Sequence, residues 1–172
     1  MISPDLIYPA IFPEIINPKS QILNPVLSLH HMHPETYQLF VYGSLRKGFH
    51  HPAYQYISNY FKLVGPAKVK GLLYDMGEYP AAVPVFTEDF IVGELYVLNN
   101  TDEYGWAMAQ IDDYEGVNAE LGELPLYRRS TVNVFCNGLS SSAWIYWYNG
   151  DVSGHDIIAS GDVLQYINEK NK

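Results

Sequence analysis

The sequence predicts an α+β fold, in which a small, mixed and mostly closed β-barrel-like sheet carries two or three short helices. Three observations support this class. Several short segments have high strand propensity, and two of them are joined by the hairpin dipeptide Asn137-Gly138. The second of these two strands, at residues 139–148, is large and apolar on both faces near its end and is expected to be central. One segment, from residue 101 to 115, instead repeats its apolar residues at helical spacing.

The composition is that of one folded domain, alone or with an appendage: 172 residues, 48% hydrophobic and 17% charged. The formal net charge of −9, without a basic stripe, argues against nucleic acid as a partner. The sequence shows no basic amphipathic helix, no apolar run of bilayer length and no secretory signal, so no membrane partner is expected. The single Cys136 lies in an expected strand and is interpreted as a buried structural residue. We therefore expect a cytoplasmic protein.

Residues 1–37 differ from the rest because they hold six of the 11 prolines. Proline at this density prevents a long helix, yet the segment is too apolar for a free linker. We expect an extended, proline-rich N-terminal arm that covers a sheet edge of its own domain, at residues 38–172, or of a second copy in a homodimer. His30, His31 and His33 could ligate a metal, but no cysteine or acidic ligand set completes them, so a solvated loop is favoured and no metal site is predicted.

The domain opens with a strand that begins at Leu39 and breaks at Gly43-Ser44. A charged segment then leads to a short amphipathic helix, which Pro52 can open as the first helical residue. Its apolar residues recur at helical spacing at Ala53, Tyr56, Ile57, Tyr60 and Phe61. A strand that ends in a glycine turn ahead of a helix presents free backbone N–H groups. Such groups favour an anion, for example a carboxylate or a phosphate.

Three strands are expected next, at residues 68–76, 81–86 and 91–98. The second of them carries Pro84, which cannot donate to a ladder, so it is expected to be an edge strand or irregular. A glycine inside the third strand, Gly93, is interpreted as the position of a bulge.

The segment from residue 101 to 115 has the signals of an amphipathic helix. Thr101 is a suitable N-cap, and the two acids that follow it complement the helix dipole. The face toward the core is expected to consist of Tyr104, Ala107, Ile111 and Tyr114. Glu115 follows at the edge of this face, just before Gly116 ends the helix. Two interpretations stay open: an exposed glutamate, which periodicity alone favours, or a partly buried carboxyl whose raised pKa makes it a better base.

The last part of the chain supplies a hairpin and a closing helix. The two strands flanking Asn137-Gly138 are expected at residues 127–136 and 139–148. The helix is expected at residues 162–169, with three residues facing inward, namely Val163, Tyr166 and Ile167.

Five motifs stand in order along the domain: FVYGSLRKG at residues 40–48, GLLYDMGEYPA at 71–81, GELY at 93–96, IDDYEG at 111–116 and LYRR at 126–129. Together they resemble the gamma-glutamylcyclotransferase-like superfamily, and most of all its branch of gamma-glutamylamine and small bacterial cyclotransferase-like proteins. The first motif alone is moderately specific, but the combination with the downstream Glu-Gly in register is strong. The resemblance spans about residues 39–162 and leaves the N-terminal arm without a counterpart.

This resemblance implies a small β-barrel-like domain that converts a gamma-glutamyl amine or amide to 5-oxoproline and a free amine. It assigns Glu115 as the catalytic acid/base, which reverses the interpretation from periodicity. The loop that holds the substrate's α-carboxylate consists of Tyr42, Gly43, Ser44 and Leu45. Because the substrate's own α-amino group is the nucleophile, neither a protein nucleophile nor a metal or organic cofactor is implied. Tyr127 opens the following strand and either lines the pocket or belongs to the core.

Three residues of the first motif and the function as a whole have simpler alternatives. Ser44 lacks a Gly-x-Ser-x-Gly frame and an evident Asp-His pair, so it is expected to bind the carboxylate rather than to act as a nucleophile. Arg46 and Lys47 could attract an anionic substrate, but they are expected by default to be solvated loop charges. The second hypothesis for the protein is a non-catalytic small-molecule-binding or regulatory module that keeps the same pocket, although the presence of Glu115 favours catalysis.

Overall fold

The computed structural model describes residues 36–172, so the predicted arm and its three histidines lie outside the described residues apart from Thr36 and Tyr37. Within this range the strands are β1 Gln38–Val41, β2 Phe61–Lys70, β3 Leu72–Asp75, β4 Pro80–Val83, β5 Phe90–Leu98, β6 Tyr127–Cys136, β7 Leu139–Tyr148 and β8 Asp156–Ile157. The helices are α1 Tyr54–Ser58, α2 Tyr104–Tyr114 and α3 Val163–Lys170. The predicted α+β class with three short helices is confirmed.

Five strands close into a barrel in the order β1-β5-β2-β6-β7. The sheet is mixed, because β1 runs parallel to β7 whereas the other neighbours are antiparallel. The remaining strands form a small sheet in the order β4-β3-β8. In this sheet β4 is an edge strand that ends at Val83, just before Pro84, as the proline predicted.

The hairpin between β6 and β7 confirms the turn prediction. Asn137 and Gly138 have φ angles of 52° and 78°, the two positive values that a type I′ turn requires. The strands pair without a slip from Cys136 opposite Leu139 to Tyr127 opposite Tyr148. This long ladder therefore fixes where Tyr127 lies at the far end of the hairpin. Cys136 is buried, as predicted.

The predicted boundaries between residues 53 and 76 are wrong. Helix α1 covers only one turn and a half, and Phe61 is the first residue of β2, opposite Leu98, rather than a helical residue. The strand predicted at residues 68–76 is two strands, β2 and β3, which separate at Gly71. A Cβ atom at Gly71 would lie 2.6 Å from the Ile91 Cδ1 atom and 3.0 Å from the Val83 carbonyl oxygen, so glycine avoids crowding where the chain crosses from the barrel into the small sheet.

Gly93 does not mark a bulge, because β5 pairs in register with β2 through this residue. The register shift lies instead between Leu63 and Gly65 on β2. The reason for the glycine at position 93 is close packing: a Cβ atom there would overlap the backbone carbonyl of Val41 and the ring of Phe40. Gly93 thereby lets β1 approach β5 where β1 ends.

Helix α2 packs one face on the barrel, as its periodicity predicted, and buries Ala107, Met108 and Ile111. Its N-terminus differs from the prediction. Asn100, and not Thr101, caps the short 3-10 turn that precedes the helix, because its side chain accepts a hydrogen bond from the amide of Asp102. Tyr114, at the end of the helix, is 38% exposed rather than a core residue.

Helix α3 begins at the predicted place, where the side chain of Asp162 accepts a hydrogen bond from the Leu164 amide at 3.0 Å. Val163 is buried, and Tyr166 packs partly buried against the same cluster of core residues. Ile167 was predicted to face inward, but it is 38% exposed. The side of the helix that meets the small sheet carries Tyr166 and Lys170, which both donate to the Asp75 carboxylate.

Strand β1 is buried on both faces, which places it between the two hydrophobic cores. Phe40 and Tyr42 belong to the cluster that fills the barrel, whereas Leu39 and Val41 pack with residues of α1 and α2. Thr36 and Tyr37 extend this attachment, since the Thr36 hydroxyl donates to the Ser142 carbonyl and the Tyr37 carbonyl accepts from the Leu98 amide. The loop after β1 is therefore held on a rigid element.

Candidate active site

A cavity of about 220 Å³ lies where the loop after β1, the end of α2 and the start of β6 meet. Its lining includes all six residues that the sequence assigned to the site, namely Tyr42, Gly43, Ser44, Leu45, Glu115 and Tyr127. The other lining residues are Phe40, Val41, Tyr79, Pro80, Tyr114, Leu126 and Tyr146. The structure therefore brings the predicted site residues together, and Tyr127 lines the cavity while its ring stays buried.

The loop after β1 is a tight turn, in which the amide of Arg46 donates to the carbonyl of Gly43 at 2.9 Å. Among residues 36–172, the amides of Gly43, Ser44 and Leu45 donate no hydrogen bond to another residue. All three residues line the cavity, so an anion bound there could accept from those of their amides that face it. The geometry thus offers the free backbone donors that the Gly-Ser break predicted.

Tyr42 anchors the start of this loop. Its ring is 7% exposed, and its hydroxyl donates to the carbonyl of Tyr146 on β7 at 2.7 Å. Burial, with the nearby Tyr127 hydroxyl and Glu115 carboxyl, holds the pKa of Tyr42 well above its usual range. Tyr42 is thus a neutral hydrogen-bond donor that fixes the loop to the barrel.

Arg46 anchors the end of the loop, and the prediction that it is a solvated charge is wrong. Its guanidinium is buried, donates to the Asp162 carboxylate at 2.8 Å and has the Glu94 carboxylate 4.0 Å from its Nε atom. Lys47, in contrast, is exposed, as predicted. Two carboxylates that are distant in sequence allow Arg46 to be buried, so no local pattern could have indicated it.

Glu115 directly follows the last residue of α2. Its amide donates to the Ile111 carbonyl at 2.9 Å, and Gly116 then turns the chain away with a φ of 65°. The Glu115 carboxyl is half-buried and has no hydrogen-bond or ion-pair partner among residues 36–172. Burial raises its pKa from 4.5 to about 7. The carboxyl can therefore both accept and return a proton near neutral pH.

The residue before it, Tyr114, joins the two halves of the site. Its hydroxyl and the Ser44 hydroxyl are hydrogen-bonded at 2.7 Å. The Tyr114 ring packs on Tyr56 of α1, with ring centroids 5.6 Å apart. The sequence had assigned Tyr114 to the core face of the helix. The one sequence signal that could have placed Tyr114 in the site is its position directly before Glu115 and Gly116 in the IDDYEG motif.

An aromatic wall completes the cavity. The Tyr127 hydroxyl donates to the Pro80 carbonyl at 3.3 Å, and its ring stands edge-on to Tyr148 with centroids 5.6 Å apart. Tyr148 in turn lies 6.1 Å from the ring of Tyr79. Burial and the neighbouring Glu115 hold the pKa of Tyr127 above its usual range. Tyr79 and Pro80 were not predicted as site residues, although both fall in the GLLYDMGEYPA motif.

A polar cluster behind the cavity ties α2 to the barrel. The Asp112 carboxylate pairs with Arg129 on β6 at 3.0 Å and accepts from the Tyr146 hydroxyl on β7 at 2.8 Å. The Arg129 guanidinium lies over the Trp144 ring, 5.0 Å from its centroid. These contacts fix the last turn of α2, and with it Glu115.

The part of the chain that the structure describes contains no group of three or more His, Cys, Asp or Glu side chains able to hold a metal ion. Nor does any helix in residues 36–172 combine the length and apolar character needed to cross a membrane. What the cavity offers chemically is a set of backbone donors for an anion opposite a carboxyl of raised pKa.

Residues 39–165 match the family model described as gamma-glutamyl cyclotransferase, AIG2-like. The chain belongs to this family, and the family predicted from the motifs is confirmed. A relative in Escherichia coli, the gamma-glutamylcyclotransferase family protein YtfP, is 30% identical over 128 residues, which cover 74% of this chain and 96% of that protein. A protein of Methanocaldococcus jannaschii, provisionally named a gamma-glutamylcyclotransferase, is 34% identical over 135 residues, with coverage of 74% and 96%.

Solved structures show the same fold. YkqA from Bacillus subtilis superposes with a TM-score of 0.59 at 26% identity, over 80% of this chain. This chain covers only 43% of YkqA. The solution structure of YtfP from Escherichia coli gives a TM-score of 0.52 at 29% identity and covers 76% of this chain and 98% of that one.

Proposed function

We propose that this protein is a cyclotransferase that converts a gamma-glutamyl amine or amide to 5-oxoproline and a free amine. One observation carries the proposal. The Glu115 carboxyl has no partner among the described residues, and burial raises its pKa to about 7. It shares a cavity with three loop residues whose backbone amides donate no hydrogen bond within the described part of the chain. Family membership supports the reaction class. The residue roles below are part of the proposal.

The amides of Gly43, Ser44 and Leu45 bind the substrate's α-carboxylate, and the Ser44 hydroxyl can add a hydrogen bond. An anion held there needs no basic side chain, because several amide dipoles converge on it. Holding one end of the glutamyl chain folds it so that its α-nitrogen and γ-carbonyl carbon meet. This proximity lowers the entropic part of the barrier.

Glu115 takes one proton from the substrate's α-ammonium group, and the freed lone pair attacks the γ-carbonyl carbon. A C–N bond forms within the new five-membered ring, and the tetrahedral intermediate carries its charge on the carbonyl oxygen. The ring nitrogen, positively charged after the attack, loses its second proton to water. Glu115 returns the first proton to the leaving nitrogen, and collapse of the intermediate breaks the C–N bond to the free amine. The α-ammonium pKa is about 8 in peptides, so a carboxyl with a pKa of about 7 is matched to both transfers.

The alternative is a binding module that holds the same compounds without turnover. The two are separated by incubating the protein with gamma-glutamyl alkyl amides, gamma-glutamyl dipeptides and glutathione. Released 5-oxoproline and free amine are quantified, and binding of each compound is measured by calorimetry. Equimolar 5-oxoproline and amine from at least one compound would support the cyclotransferase, whereas binding without any product would support the module.

A further inference from the structure

Glu94 on β5 holds the loop after β1 at both of its ends. The backbone of Glu94 lies opposite Val41, the last residue of β1, in the antiparallel ladder between the two strands. Its carboxylate accepts a hydrogen bond from the Lys47 amide, at the other end of the loop, at 3.1 Å. One residue therefore sets both where this loop begins and where it ends.

The Glu94 carboxylate is itself fixed in place. The Tyr96 hydroxyl, two residues further along β5, donates to the same Oε2 atom at 2.7 Å. The Tyr96 ring is fully buried, so close packing keeps this donor in position. The other carboxylate oxygen lies 4.0 Å from the Arg46 Nε atom, and the Glu94 side chain is only 17% exposed. The carboxylate is thus a rigid acceptor for the Lys47 amide.

The main chain of the loop has little support of its own. Its one internal hydrogen bond in the described structure runs from the Arg46 amide to the Gly43 carbonyl. Within residues 36–172, the bond between Lys47 and Glu94 is the one that joins the main chain of residues 43–47 to a strand of the barrel. The position of the loop amides therefore depends on Glu94.

We propose that Glu94 is a positioning residue, which holds the loop through the Lys47 amide in the arrangement that binds the substrate's α-carboxylate. This proposal rests on the cyclotransferase activity proposed above. Glu94 is not among the described residues that line the cavity, so it acts on the substrate through the loop. A loop that is free to shift must be ordered when the anion binds, and this ordering weakens binding. The proton transfers at Glu115 do not involve this contact, so the effect falls on KM rather than on kcat.

Three substitutions separate the hydrogen bond from the charge. Glu94→Ala removes the acceptor, and Glu94→Asp keeps the charge but withdraws the carboxylate by one methylene from the Lys47 amide. Each should raise KM for the best substrate of the gamma-glutamyl panel at least about tenfold, with kcat changed by less than about threefold. Glu94→Gln keeps a carbonyl oxygen for Lys47 and Tyr96, so its KM should stay within about threefold of the native value.

Two kinetic outcomes would overturn the positioning role. The first is a native KM in the alanine and aspartate variants, with or without a loss of kcat. The second is a KM in Glu94→Gln as high as that in Glu94→Ala, because the effect would then come from the charge beside Arg46 and not from the hydrogen bond. Val134→Ala is the control for a general loss of stability, since Val134 is fully buried in the core and does not line the cavity. It should lower the melting temperature and leave KM native.

A binding measurement makes the result independent of turnover. The probe is 5-oxoproline, which keeps the α-carboxylate, and calorimetry gives its Kd for each protein. We expect the Kd to rise at least about tenfold in Glu94→Ala and Glu94→Asp and to stay native in Glu94→Gln and Val134→Ala. Binding of the probe without turnover of any panel compound would overturn the cyclotransferase, and the Kd values would still decide the role of Glu94. Neither turnover nor binding would overturn both proposals.

Discussion

The Ser44 and Tyr114 hydroxyl oxygens lie 2.7 Å apart, and this hydrogen bond links the loop after β1 to the last residue of α2. The bond spans the two structural elements that carry the free amides and Glu115. It therefore couples the position of the proposed anion site to that of the proposed base. Nothing in the local sequence around Ser44 or Tyr114 predicts this contact, because the two residues meet only through the closure of the barrel.

Removal of this bond should lower activity in a non-additive way. A neutral hydrogen bond contributes about 0.5–1.5 kcal/mol, so Tyr114→Phe should reduce kcat/KM by roughly two- to tenfold. In a Ser44→Ala background the same change should have almost no further effect, because its partner is already gone. A double-mutant cycle on kcat/KM measures this. An equal loss from Tyr114→Phe in both backgrounds would show that the bond does not act in catalysis.

The dependence of activity on pH should report Glu115. The carboxyl must be ionised to accept a proton, and burial raises its pKa to about 7. We therefore expect kcat/KM to fall about tenfold per pH unit below pH 7 and to level off above it. Initial rates of 5-oxoproline release between pH 5 and pH 8 test this. A limb with its midpoint near 4.5, the ordinary value for glutamate, would contradict the assignment.

The same raised pKa predicts a pH-dependent stability. The folded state favours protonated Glu115 more than the unfolded state does, so this residue's contribution to the free energy of unfolding falls as the pH rises from 4.5 to about 7. Glu115→Gln removes the buried charge. The change that it causes in the free energy of unfolding should therefore be more stabilising at pH 8 than at pH 4.5, by about 1–3 kcal/mol. Urea unfolding of both proteins at the two pH values measures the difference. Glu123→Gln, at an exposed loop glutamate, should show no such dependence.

The pair between Asp112 and Arg129 should matter more for stability than an exposed pair of similar length. Asp112→Ala leaves the half-buried Arg129 without its ion-pair partner and the Tyr146 hydroxyl without its acceptor, and we expect a loss of about 2–3 kcal/mol. Glu88→Ala is the matched control, because Glu88 pairs with Lys70 at 2.6 Å on the surface, and its loss should cost under about 1 kcal/mol. Equal losses in urea unfolding would show that the Asp112 cluster does not hold α2.

Local sequence rules predicted the parts of this fold that local physics decides. Asn137-Gly138 fixed the hairpin, and Gly116 fixed the end of the helix that carries Glu115. The motif resemblance supplied what periodicity could not, since the apolar pattern alone favoured an exposed Glu115. Its half-buried position depends on neighbours that are distant in sequence.

Most of the features that sequence reasoning missed depend on such distant partners. Phe61 looked helical, but its pairing with Leu98 makes it the start of β2. Arg46 looked solvated, but Asp162 and Glu94 converge on it. Tyr79 looked like a turn residue, but it packs against Tyr148 and lines the cavity. Long-range packing overrode local propensity at each of these positions.

The most direct test of the proposed mechanism compares turnover and binding in the native protein and in Glu115→Gln. The amide keeps the size of the side chain but can neither take nor return the proton. We expect 5-oxoproline release from the best substrate of the gamma-glutamyl panel to fall at least about 100-fold, while the Kd of that substrate changes by less than about threefold. Full activity in Glu115→Gln would contradict the role assigned to this residue.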